Sequence, residues 1–128
     1  MTTTTKPINE LHAENVEWQS RLDFYADEIK MMEGRIAEIA SKNTAKEVQA
    51  HVEHFQNQIV INKNHIDELR HDIRDHESFI VNRVKENPVA VDHRQLNDHP
   101  VLRSRMASFE NIFNALRKEL DLFAAQLM

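Results

Sequence analysis

The sequence predicts an all-α protein, an up-down-up antiparallel three-helix bundle with long, coiled-coil-type helices. Three observations carry that expectation. Glycine occurs once and proline three times in 128 residues, whereas sheets need tight turns built on glycine, proline or Asn-Gly pairs. Apolar residues recur in alternating steps of four and three along three segments, which is the seam of a packed helix and not the period of a strand. Hydrophobic residues make up 41% of the chain and charged residues 29%, a globular balance able to supply one core.

Residues 1–7 are expected to be a disordered tail, and 8–128 a single helical-bundle domain. The first helix should begin near Ile8, after Pro7, and run to about Lys42. Its seam is Leu11, Trp18, Leu22, Tyr25, Ile29, Met32, Ile36 and Ile39, with Asn15 as a polar member. Gly34 falls on the outer face, where it costs about 1 kcal/mol in helix propensity and disturbs no packing. Ser41-Lys42-Asn43 is a short connection. Thr44 stands three residues before Glu47, the spacing of a capping box.

The second helix is expected from about Ala45 to Glu86, with a seam of Val48, Val52, Phe55, Ile59, Asn62, Ile66, Leu69, Ile73, His76 and Ile80. The phase passes unbroken through Asn62-Lys63-Asn64, which predicts one continuous helix; a break with Asn64 as a new N-cap is the alternative. Asn87-Pro88 ends the segment, because proline disfavours helical geometry in the residue before it. Residues 88–99 read as the one extended loop. Pro100 then starts a third helix that reaches about Leu127, with a seam of Leu102, Met106, Phe109, Phe113, Leu116, Leu120, Phe123 and Leu127. Short links make neighbouring helices antiparallel.

With Trp18 in the first helix and the His99-Pro100 step before the third, this arrangement resembles a spectrin-type repeat in architecture. Phe113 stands where such a repeat often carries a second tryptophan. The resemblance implies a fold and no activity.

Composition excludes several functions. A net charge of −5 argues against nucleic-acid binding, which needs a basic face to displace counterions from phosphates. Apolar runs such as Ile59-Val60-Ile61 are too short to span a membrane. The first residues lack the apolar stretch of a secretory signal. No cysteine is present, so thiol catalysis and thiolate metal sites are absent. A cytoplasmic protein is expected. Ser20, Ser41, Ser78, Ser104 and Ser108 sit in no nucleophile motif, and one glycine cannot build a phosphate loop. Neither catalytic residues nor a cofactor are expected.

The eight histidines invite a metal-site reading, since bundle metal sites use His and carboxylate side chains on facing helices. Glu68 and His71 have a ligand-pair spacing, as do His51 and His54, but the seam turns Glu68, His71 and His54 toward solvent. His51, His71 and His76 each follow an acid by four residues (Glu47, Asp67, Asp72), a distance that suits surface pairing along a helix. Three polar residues fall on the seams: Asn15, Asn62 and His76. Such residues usually set register or partner number. Asn62 is expected to meet the Tyr25 hydroxyl, and His76 to lie near Leu11, Phe109 and Glu110.

A count of helix lengths also predicts a homodimer. If the third helix covers the second from Val84 to Ile59, about fourteen residues of the second helix project about 20 Å beyond it. Met32, Ile36, Ile39, Val48, Val52 and Phe55 would then line an exposed apolar interface, and two such overhangs would close a four-helix bundle. The function expected is therefore that of a non-enzymatic bundle acting through self-association or contact with another helical protein. A metal- or ligand-binding bundle is the alternative.

Overall fold

Helix α1 spans Thr5–Lys42, α2 spans Lys46–Glu86 and α3 spans Asp98–Gln126. The computed structural model describes the backbone of residues 5–86 and 98–127 and the side chains of 8–82 and 98–127. Among the described residues there is no strand. Of the expected tail, residues 1–4 lie outside the described residues, while Thr5 is already helical. Pro7 thus sits in the first turn of α1, where a missing N–H leaves no carbonyl unpaired. The expected loop over 88–99 also lies outside the described residues, except at Asp98 and His99, which belong to α3.

Asn43, Thr44 and Ala45 join α1 to α2. The Asn43 backbone N–H and side-chain amide both donate to the Ile39 carbonyl, at 3.1 and 2.9 Å. From α2 the Gln49 amide reaches back to the Asn43 carbonyl at 2.5 Å. The expected capping box does not form. Because α2 starts at Lys46, Thr44 lies one residue outside the cap position, and Gln49 ties the turn instead. The second helix is continuous through Asn62–Asn64, as its unbroken phase predicts.

The seams pack as one core. Leu22, Ile29, Ile66 and Leu69 are 0%, 1%, 2% and 4% exposed, which places both helices of the hairpin in the expected phase. Phe113, Leu116 and Leu120 of α3 close the third side of the same cluster. Arginines link α1 to α3 along the outer edge, Arg35 to Asp121 at 2.7 Å and Arg21 to Glu110 at 3.3 Å. Such exposed pairs contribute about 0–1 kcal/mol each, so the apolar core dominates stability.

The apolar overhang does not exist. Met32, Ile36, Val52 and Phe55 are buried within the single chain, and Ile39 and Val48 are half-buried against the same cluster. Phe123 of α3 covers that end, its ring centroid 5.2 Å from that of Phe55. The reason is axial register. His99 meets His76, whereas the expected register puts Pro100 beside Val84, so α3 starts roughly 13 Å deeper along α2 and its last turns reach the hairpin.

Candidate functional site

The opposite end of the bundle has a different core. Ile8 and Ile80, with Leu11 and Phe79 packed against them, form a small apolar cluster separate from the main one. Between the two clusters the seam positions are polar: Asn15 on α1, His76 on α2 and His99 on α3, all buried. Each helix brings its own residue there because each stands at a seam step. His99 precedes Leu102 by three, and His76 follows Ile73 by three, so the heptad phase turns both rings inward.

A buried polar group is costly unless it is bonded, and here most are. His99 Nε2 lies 2.7 Å from Glu14 Oε1. His99 Nδ1 lies 3.1 Å from His76 Nε2. Trp18 stacks on the His99 ring with centroids 4.8 Å apart and planes 25° from parallel. Arg103 donates to Glu14 through Nε and Nη2, at 2.9 and 2.7 Å. The chain Arg103–Glu14–His99–His76 thereby joins all three helices. Beside it, Asn15 donates to Glu77 Oε1 at 3.0 Å, and His12 pairs with the other oxygen of the same carboxylate. Asn15 Oδ1 has no partner.

The electrostatics follow from these contacts. The Arg103 guanidinium holds the Glu14 carboxyl down to about 2; partial burial opposes that shift, and His99 adds to it. Burial pushes His76 below the usual imidazole range, helped by His99 and opposed by Asp98 and Glu77. Glu14 is therefore a fixed negative charge, and His76 favours its neutral form. Farther along the core, Tyr25 donates to Glu110 Oε2 at 2.5 Å. Burial, then that carboxylate, pushes the Tyr25 hydroxyl up to about 12.

The three expected polar positions are all buried, yet the partners of Asn62 and His76 differ from those expected. Asn62 does not meet Tyr25, whose hydroxyl goes to Glu110; its amide donates to the Gln58 carbonyl at 2.8 Å and its Oδ1 has no partner. His76 lies against His99 instead of Phe109 and Glu110, for the same reason of register that buries the expected overhang. Surface pairing of histidines to the preceding acid does not occur either. His71 pairs with Asp75, the acid four residues after it, at 3.2 Å, and His51 packs on the Phe123 ring. His12, His54 and His99 find carboxylates on other helices: His12 and His54 look across a groove and not along their own helix, and His99 points inward from the seam.

His99 and Glu14 are the site residues that the sequence reading missed. For His99 a signal exists: continuing the α3 seam back three residues from Leu102 lands on it. Glu14 flanks a seam and carries no signal of its own. Glu68, His71, His51 and His54 are all exposed, and among the described residues no three His, Cys, Asp or Glu side chains converge to hold a metal ion. No described helix is long and apolar enough to cross a membrane. His76 also lines an open groove between α2 and α3 with Asp72, Asp75 and Asp98. The arrangement can therefore exchange protons with solvent and fix the position of α3.

No protein family, curated protein or solved structure matches this chain.

Proposed function

We propose that the protein is a non-enzymatic helical bundle that works by contact with another helical surface, in the simplest case a second copy of itself. The observation supporting this reading is a row of large apolar side chains on the outer face of α1. Phe24 and Met31 are 54% and 65% exposed, and they lie two turns apart on one face, with Val16 a further two turns on. Isolated exposed apolar residues are ordinary on a soluble protein. A row along one helix face is the form in which helices meet in bundles and coiled coils. This row replaces the expected interface of Met32, Ile36, Ile39, Val48, Val52 and Phe55, which the chain uses for its own core. A two-fold pair along α1 would be the economical assembly.

The test is the oligomeric state of the untagged chain by light scattering at tens of micromolar, beside Phe24→Glu/Met31→Glu. The expected result is a complex for the wild type and a monomer for the variant. If both are monomers, and cross-linking in a native extract traps no protein that depends on Phe24 and Met31, the reading fails.

A further inference from the structure

His76 and His99 are buried and bonded ring to ring, and the proton capacity of such a pair is set by geometry. Glu14 is an ionised carboxylate that only accepts, so the hydrogen of the 2.7 Å contact belongs to His99 Nε2. With both rings neutral, His99 Nδ1 must accept, and His76 Nε2–H donates to it across 3.1 Å. One added proton is accommodated either on His76 Nδ1, with that bond kept, or by reversing the bond. In the reversed form His99 donates at both nitrogens, to Glu14 and to His76 Nε2, while His76 carries its hydrogen on Nδ1. A second proton has no such solution. Two N–H groups would face each other at hydrogen-bond distance with no acceptor between them.

We propose that the His76–His99 pair is a proton-operated clasp: it accepts one proton in place, and a second drives the first turn of α3 away from α1 and α2. The charged and titratable neighbours do not relieve the conflict. From α1 the pair faces Glu14 and His12; from α2, Asp72, Asp75 and Glu77; from α3, Asp98, Arg103 and Arg105. Glu14 is held by Arg103 and serves the far nitrogen of His99. Asp72 is held by Arg105 at 2.8 Å, and Glu77 by Asn15 and His12. Asp98 and Glu77 favour charge on His76, and so help the first proton to enter. None of these acids lies between the two rings. The groove lined by His76, Asp72, Asp75 and Asp98 supplies the path from solvent.

The chain carries its own reporter, because its single tryptophan, Trp18, stacks on His99. Opening the clasp removes that ring and admits water to an indole that is 4% exposed. Trp18 emission followed from about pH 8 to about pH 4.5, across the histidine range, should shift to the red in a step that precedes any loss of far-UV helix signal. His76→Gln and His99→Gln should each abolish the step, whereas His54→Gln, at the far end of the bundle, should retain it. Emission that stays constant until the helix signal collapses overturns the proposal, as does a step that survives in both glutamine variants. Should those variants fail to fold, the wild-type imidazole Cε1–H resonances decide. A shared two-step titration is expected for the two buried rings, and two independent single-step curves overturn the clasp.

Discussion

Near the hairpin turn the three helices meet through carbon; at the other end they meet through nitrogen and oxygen. Met32, Ile36, Val52, Phe55, Leu120 and Phe123 fill the first region with side chains that need only shape to pack. Asn15, His76 and His99, with Glu14 and Arg103 at the rim, fill the second with groups that need named partners. An apolar layer tolerates a helix sliding by a heptad, because another apolar layer arrives in its place. A polar layer does not, because sliding strands every donor and acceptor in it. One end therefore supplies stability, and the other fixes the depth to which α3 docks.

The sharpest way to break this division is to cut into the apolar end. Phe55→Ala should cost about 3–5 kcal/mol, the range for removing a sealed aromatic ring, read as the shift of a urea or guanidinium unfolding curve. A cost below about 1 kcal/mol would mean that α3 does not cover α2 near the hairpin. Phe55→Glu should unfold the chain, and a folded Phe55→Glu monomer would contradict burial within one chain.

The polar end should give smaller losses. Glu14→Ala removes the acceptor of His99 and the partner of Arg103, and should cost about 1–3 kcal/mol in the same unfolding measurement. Its distinguishing sign is local. Amide exchange should rise most in the first turns of α3 and leave the hairpin end unchanged. Uniform loss of protection along all three helices would erase the distinction between the two ends.

Acid should separate the two ends further. The folded pKa of His76 lies below its unfolded value, so the unfolded chain takes up the proton first. The stability that His76 contributes is complete above about pH 6.5 and declines as the pH falls through the histidine range. Glu14 is also shifted down, from 4.5 to about 2. Its contribution is present above pH 4.5 and is lost as the pH falls from there toward 2. Unfolding midpoints across that span should show two successive declines, and His76→Leu should flatten the upper one. A stability profile level from pH 7 to pH 5 in the wild type would count against the burial of His76.

Gly34 offers the smallest expected effect and a control outside both ends. It is exposed in mid-helix, and nothing lies within 4 Å of the Cβ it lacks. Gly34→Ala should therefore raise stability by about 0.5–1 kcal/mol without moving the acid profile. A loss of stability would show that the outer face of α1 is covered at that point.

Most of the architecture was legible in the sequence, because periodicity decides which side of a helix is buried. Every core position expected on α2 between Val52 and Ile80 is buried. What periodicity cannot supply is axial register, since a seam repeats every seven residues and looks alike at each repeat. The depth of α3 depends on where His99 lodges, and a His-Pro step reads as the start of a helix and not as a core residue. With His99 left out of the core, the seams alone set α3 too shallow along α2, leave six residues of the intramolecular core uncovered, and give His76 other neighbours. Asn62 went astray differently. Tyr25 and Asn62 share the core, but the Glu110 carboxylate, arriving with α3, is the stronger acceptor and takes the hydroxyl.

The short link at Asn43–Ala45 bears on the order in which the chain assembles. Closing a loop of three residues costs little entropy, so α1 and α2 can zip from the turn outward within their own contacts. The contacts between α1 and α3 lie far apart along the chain: the two partners of Glu14–Arg103, like those of Arg21–Glu110, are 89 residues apart in sequence. They can close only once a formed hairpin offers a surface. Folding should therefore run as a fast local collapse followed by docking of α3, and the polar layer is where that docking is proofread.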